Sequence, residues 1–170
     1  MNVKLALSPI SKTPVDLLAV VLDEETTLHD IDDPAIAEHV ERAAAGFRDK
    51  SLKREYFATL GEGASAGAMV VYWSPQLKSW NLWENLKTFT ARALRLARDS
   101  RRPRVGVVVN TGEAAPYVGK VVEGAVLGTY AFDRYRQETD EFFSKDAELT
   151  VFAHPDHETD AEARKSRYLW

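Results

Sequence analysis

A chain of 170 residues, 45% hydrophobic and 28% charged, has the composition of one folded domain with a full core and not of a disordered segment. Its formal net charge of -4 gives no general attraction to nucleic acid or to an anionic membrane, and no apolar run has the length of a membrane span or a signal peptide. Cysteine is absent, which excludes disulfides, thiolate catalysis and zinc–thiolate centres and fits a cytoplasmic setting.

In chain order, Val3 to Leu7 alternates as a strand does, and Lys12-Thr13-Pro14 breaks it. Asp16 to Leu22, DLLAVVL, is apolar at every position after Asp16, the pattern of a strand covered on both faces. A helix is predicted to open at Asp33-Pro34, because Asp33 can accept from the free N–H groups of the first turn and Pro34 suits the first helical position. Ile36, Val40, Ala43, Ala44 and Phe47 then share one face, and Gly46 stands near the expected stop. Arg54 to Leu60 and Ala68 to Trp73 read as two strands on either side of a glycine-rich turn. A long helix follows from about Asn81 to Asp99, with Asn81 and Glu84 spaced as a capping box and Leu82, Leu86, Phe89, Ala93 and Leu96 as its apolar stripe. Beyond Pro103, Arg104 to Asn110 is a buried strand, and a third helix from about Pro116 to Gln137 buries Val118, Val122, Ala125, Thr129 and Phe132. Glu148 to Ala153 is the last strand, and a helix begins near Thr159. Helices inserted between strands require crossovers, so the class is α/β: a single three-layer α/β/α domain on a mixed, mostly parallel sheet.

Few segments could carry chemistry. Gly61 to Gly67 is rich in glycine, but a phosphate cradle needs a helix N-terminus after it, and a strand follows here, so a hairpin turn is the better reading. His154 and His157, within HPDHETD, could ligate zinc through imidazole, yet no regular element fixes them and a solvated loop explains the composition equally well; no metal site is assigned. Trp73, Trp80 and Trp83 fall within eleven residues and are the candidates for a partner surface, against the plainer reading that they pack a strand–helix corner of the same domain. The paired carboxylates Asp23-Glu24-Glu25 and Asp32-Asp33 suit loops and helix starts, and Arg101-Arg102-Pro103-Arg104 suits a helix end. No nucleophile elbow and no HExxH motif occurs. No catalytic residues are assigned.

The third helix, EGAVLGTYAFDRYR (Glu123 to Arg136), resembles the EGxxLxxYxFDxYK signature in the N-terminal domain of the leucyl (cytosolic) aminopeptidase family. The likeness rests on Glu123, Gly124, Leu127, Tyr130, Phe132, Asp133 and Tyr135. DLLAVVLDEE is similar to that domain's second strand, AAAGFRDK to its Phe-x-Gly-Lys region, and NLWENLKTFTARALRLARDSRRPRVGVVV to the helix and strand before the signature. The likeness runs in order from about residue 2 to 170. Two places depart from the family pattern: Tyr72-Trp73-Ser74-Pro75 replaces a Gly-Leu-Gly-Lys stretch, and Asp49 stands where a glycine usually precedes Lys50.

The resemblance implies a macro-like N-terminal domain at 1–155, with 156–170 starting a linker helix toward a C-terminal catalytic domain absent from this chain. It implies a parent enzyme, a metal-dependent exopeptidase that uses two divalent ions, zinc or manganese, to release N-terminal residues from peptide substrates, and that assembles as a homo-hexamer. The chain itself would hold no cofactor and be inactive, serving oligomer assembly or access to the active site, with its own catalytic domain as partner in cis. Nucleic acid and membrane are not expected partners. Tyr168-Leu169-Trp170, apolar at the end of a nascent helix, fits a truncation. ETDAEAR (Glu158 to Arg164) spells like NTDAEGR, which carries metal ligands in the family's catalytic half, but it lies too close to the signature helix. Thr159 and Glu162 instead have the spacing of a helix capping box. The alternative reading is a ligand-binding module, since macro domains bind ADP-ribose at the carboxyl ends of their strands.

Overall fold

The continuous apolar run at 17–22 becomes most of a central strand. The computed structural model describes residues 1–6, 8–22, 31–74, 79–110, 117–129 and 147–152, with the side chains of 79–83, 109, 110, 117 and 129 left aside. The strands are β1 (Asn2–Ala6), β2 (Val15–Leu22), β3 (Glu55–Thr59), β4 (Ala66–Trp73), β5 (Arg104–Asn110) and β6 (Glu148–Phe152), and the helices are α1 (Pro34–Arg48), α2 (Ser79–Asp99) and α3 (Tyr117–Thr129). They form one six-stranded sheet in the order β1-β6-β5-β2-β4-β3. All neighbours are parallel except β3 and β4. The expected α/β class and mixed, mostly parallel sheet are both observed.

β2 lies between β5 and β4, which explains why its apolar run is unbroken. Leu17, Ala19 and Val21 pack on one side with Leu86, Ala93 and Leu94 of α2 and Val118, Val121 and Ala125 of α3. Leu18, Val20 and Leu22 pack on the other with Ile36, Val40, Ala43 and Phe47 of α1. β4 divides in the same way, Val70 and Tyr72 toward α2 and α3, Met69 and Val71 toward α1. Three layers result, and among the described α-helices α1 covers one face while α2 and α3 cover the other.

α1 starts where Asp33-Pro34 predicts, and its buried residues include every position of the expected stripe. It ends at Arg48, after which Lys50 adopts a left-handed φ of 66°. The glycine-rich segment is a hairpin turn, with Gly63 at φ 94° and Leu60 N donating to Gly67 O at 3.1 Å.

Two local details differ from expectation. α2 begins at Ser79, so Asn81 lies inside its first turn and is not the cap; helix termini follow the packing of the stripe and shift by a residue or two from a cap signature. A 3-10 turn at Ile10–Lys12 was not anticipated. It buries Ile10 in the α1 layer. The third helix is described only to Thr129, and the helix expected near Thr159 and the boundary at 155 lie outside the described residues.

Candidate functional site

In open α/β sheets ligands bind beyond the carboxyl ends of the strands, where the connections diverge to opposite sides. Here that point lies between β2, whose chain continues through α1 toward β3 and β4, and β5, whose chain continues through α3 toward β6. Leu22 stands in register with both Trp73 and Asn110 at this edge. Ser74, just past β4, is buried although polar. Its backbone N donates to Leu22 O at 3.0 Å, and its hydroxyl accepts from Asn85 Nδ2 at 2.7 Å. Ser74 thereby fastens the end of β4 to both β2 and α2.

Trp73 is half-buried and stacks on Phe47 of α1, with ring centroids 5.2 Å apart and planes 13° from parallel. Its indole therefore contributes to the α1 layer. Trp80 and Trp83 belong to the first two turns of α2, and their side chains lie outside the described residues. On the opposite face Tyr72 stacks on Phe89 at 4.8 Å, and the Arg92 guanidinium lies 5.6 Å from the Tyr72 ring centre while pairing with Glu55 at 2.5 Å. Burial drives the Tyr72 phenol far above its ordinary pKa, only partly opposed by Arg92, so this hydroxyl stays protonated and is no acid–base group at neutral pH.

The other end of the sheet is closed by polar locks. Asp33 is buried and accepts four hydrogen bonds: Oδ1 from Ala35 N (3.0 Å) and Ile36 N (3.3 Å), Oδ2 from Ser65 N (2.7 Å) and Ser65 Oγ (2.6 Å). One carboxylate thus caps α1 and also holds the β3–β4 turn. Burial alone would raise its pKa, but the bonds from Ser65, Ile36 and Ala35 outweigh it and the carboxyl titrates below its ordinary value. Arg104 meets Asp16 through Nε (3.1 Å), Nη2 (2.6 Å) and backbone N (2.9 Å), and Arg102 Nη1 donates to Asp16 O at 3.0 Å. Two of the basic residues after α2 therefore tie that helix's end to the start of β2.

Three residues of the signature, Glu123, Gly124 and Leu127, lie on the described part of α3. Both Glu123 oxygens accept from Lys120 at 2.9 Å, and one lies 3.8 Å from Lys87, which also pairs with Glu84 at 2.8 Å. Gly124 backs directly onto α2: a Cβ there would lie 2.4 Å from Lys87 O, and one at Gly128 would lie 2.8 Å from Ala91 Cα. This pair of glycines four apart lets the two helix backbones touch, a role invisible in the sequence until α2 is known to be the neighbour. Leu127 is exposed, as is Val126. Tyr130, Phe132, Asp133, Tyr135, His154, His157, Thr159 and Glu162 lie outside the described residues. Among the described residues no group of three or more His, Asp or Glu side chains is placed to hold a metal ion.

No family model matches the sequence, and no curated protein matches it. Solved structures do. The macro domain of ganglioside induced differentiation associated protein 2 superposes with a TM-score of 0.59 at 16% identity, covering 98% of this chain and 83% of that one. The fold is macro-like. A mutant of tomato leucine aminopeptidase superposes with a TM-score of 0.63 at 13% identity, covering 97% of this chain and 35% of that one. The macro-like chain thus spans about a third of the aminopeptidase's length, and at these identities the likeness is one of fold. The resemblance stated from the signature helix and the expected macro-like architecture agree with both neighbours. No helix among the described residues is long and apolar enough to cross a membrane.

Proposed function

We propose that this macro-like domain is the non-catalytic N-terminal domain of a leucyl aminopeptidase, serving oligomer assembly or access to the active site of a catalytic domain joined to it in cis. The supporting observation is the contact between two segments that resemble the family. Gly124 of the signature helix abuts Lys87 of the preceding helix, so the resemblance falls on residues that need one another. The fold shared with part of the tomato enzyme's chain supports the same reading. The two zinc or manganese ions, the peptide substrates and the hexamer belong, on this reading, to the full-length cytoplasmic enzyme. There the metals supply the activated water, and the residues described here supply packing. The test is leucine-p-nitroanilide hydrolysis by the 170-residue chain with added manganese or zinc. No turnover is expected, and metal-dependent turnover above buffer would sink the proposal.

A second reading is favoured by the match to most of a solved macro domain: a binding module for ADP-ribose or a nucleotide at the Leu22–Trp73–Asn110 edge. Calorimetric titration with ADP-ribose separates the two, since micromolar affinity would promote this reading over the first.

A further inference from the structure

β3 is an edge strand whose one neighbour among the described residues is β4. Trp73 N donates to Arg54 O, and Leu60 N donates to Gly67 O, so the even-numbered residues 54 to 60 direct their backbone groups toward β4. In an antiparallel pair the alternate residues point the other way. Glu55, Phe57 and Thr59 therefore present their N–H and C=O groups outward. Their side chains are exposed as well, and Phe57, at 50% exposure, is a large apolar group in an edge row where soluble proteins ordinarily place charge.

We propose that this edge pairs with the same edge of a second copy, antiparallel about a two-fold axis through Phe57, joining two six-stranded sheets into one. The occupant follows from the register. With Phe57 opposite its own copy, Glu55 faces Thr59 of the second chain, and both pairs exchange backbone hydrogen bonds. One step further out, Lys53 reaches Gly61 of the second chain with Glu62 beside it, so opposite charges meet at both ends; Lys53 and Glu62 are both exposed. A two-fold centred on Glu55 would set like charges against each other, and one centred on Thr59 would set Phe57 against Gly61 and lose the aromatic pair. The Phe57 register alone satisfies the ladder, the charges and the apolar side chain together. Such an isologous contact closes on itself, so it yields a dimer and not a fibre. The pairing stands whether or not a catalytic domain adjoins the chain.

The absence of cysteine makes a register-specific test simple. Residues facing each other as a hydrogen-bonded pair have Cα atoms about 5.5 Å apart, within the disulfide range. Under mild oxidation Phe57→Cys is expected to cross-link to itself, and Glu55→Cys mixed with Thr59→Cys to cross-link far faster than either alone. Glu41→Cys, exposed on α1, serves as the collision control. Sedimentation equilibrium of the unmodified chain should show a monomer–dimer equilibrium. Lys53→Glu should weaken it roughly tenfold, and Lys53→Glu combined with Glu62→Lys should restore it. A chain that stays monomeric up to about millimolar concentration, equal cross-linking of Glu55→Cys with itself and with Thr59→Cys, or open-ended association would each overturn the proposal. Loss of association in Lys53→Glu without rescue by the charge swap would also count against the register.

Discussion

Removing the Asp33 carboxylate should cost more than any ordinary helix cap. Replacing a capping Asp by Ala typically costs about 1 kcal/mol. In Asp33→Ala the Ser65 N–H and hydroxyl, both bonded to Oδ2 in a buried site, also lose their acceptor, which adds about 1–3 kcal/mol. The sum is about 2–4 kcal/mol, or roughly 4–16 °C in Tm at the 2–4 °C per kcal/mol expected for a domain of this size. Urea unfolding of four proteins measures it: unmodified, Asp33→Ala, Ser65→Ala and the double variant. Ser65→Ala alone should cost about 1 kcal/mol, because its backbone N still donates, and the double variant should cost less than the sum of the singles. Acid titration gives the sign. The folded pKa of Asp33 is depressed from 3.8, so its contribution is complete above about pH 4 and is lost as pH falls through the lower folded value. Asp33→Asn should lack that part of the acid limb. If Asp33→Ala loses less than about 0.5 kcal/mol, or the two single effects simply add, the carboxylate does not join the helix to the turn.

Three further outcomes follow from the packing. Gly124→Ala should destabilise by about 1–3 kcal/mol despite alanine's better helix propensity, because the added Cβ meets a backbone carbonyl that cannot swing away; a Tm equal to or above that of the parent would contradict the close approach of α2 and α3. Thr90 carries the one buried side-chain oxygen without a hydrogen-bond partner among the described residues, so Thr90→Val should be neutral or stabilising by up to about 1 kcal/mol in urea unfolding, and a clear loss would mean the hydroxyl is bonded. Arg104→Ala should cost no more than about 1 kcal/mol, since the guanidinium is half-exposed, and that cost should shrink as salt is raised in the same assay.

The elements were legible wherever one local rule was enough. The unbroken apolar runs of β2 and β5 declared strands covered on both faces, and Asp33-Pro34 placed the start of α1 to the residue. What escaped depended on distant residues. Nothing in the chain shows that the Asp33 cap also holds Ser65, 32 positions away, or that Gly124 and Gly128 exist for the sake of Lys87 and Ala91. The start of α2 was misplaced because Asn81 and Glu84 imitate a capping box inside a helix already under way. Sheet order was also out of reach, since periodicity reports which faces are covered and not which strands adjoin. At the carboxyl edge Leu22, Trp73 and Ser74 are described, while the histidines and the Thr159–Glu162 box fall outside the described residues.

The position of β6 has a temporal consequence. Among the described residues β1 has no strand neighbour but β6, and the two are bridged by Lys4 and Glu148, 144 positions apart. A chain emerging from the ribosome therefore cannot seat its first strand until its last described strand has been made. Until then Val3 and Leu5, which pack against the core, have no ladder to hold them, and β5 has an open side. Closure of the sheet is thus a late event that joins segments 144 positions apart, and so large a separation predicts slow folding for a domain otherwise rich in local helices. A chain shortened before Glu148 would keep most of its buried residues yet add the facing sides of β1 and β5 to the edges already open in the described sheet, and it is in that form, more than in the finished domain, that aggregation should be sought.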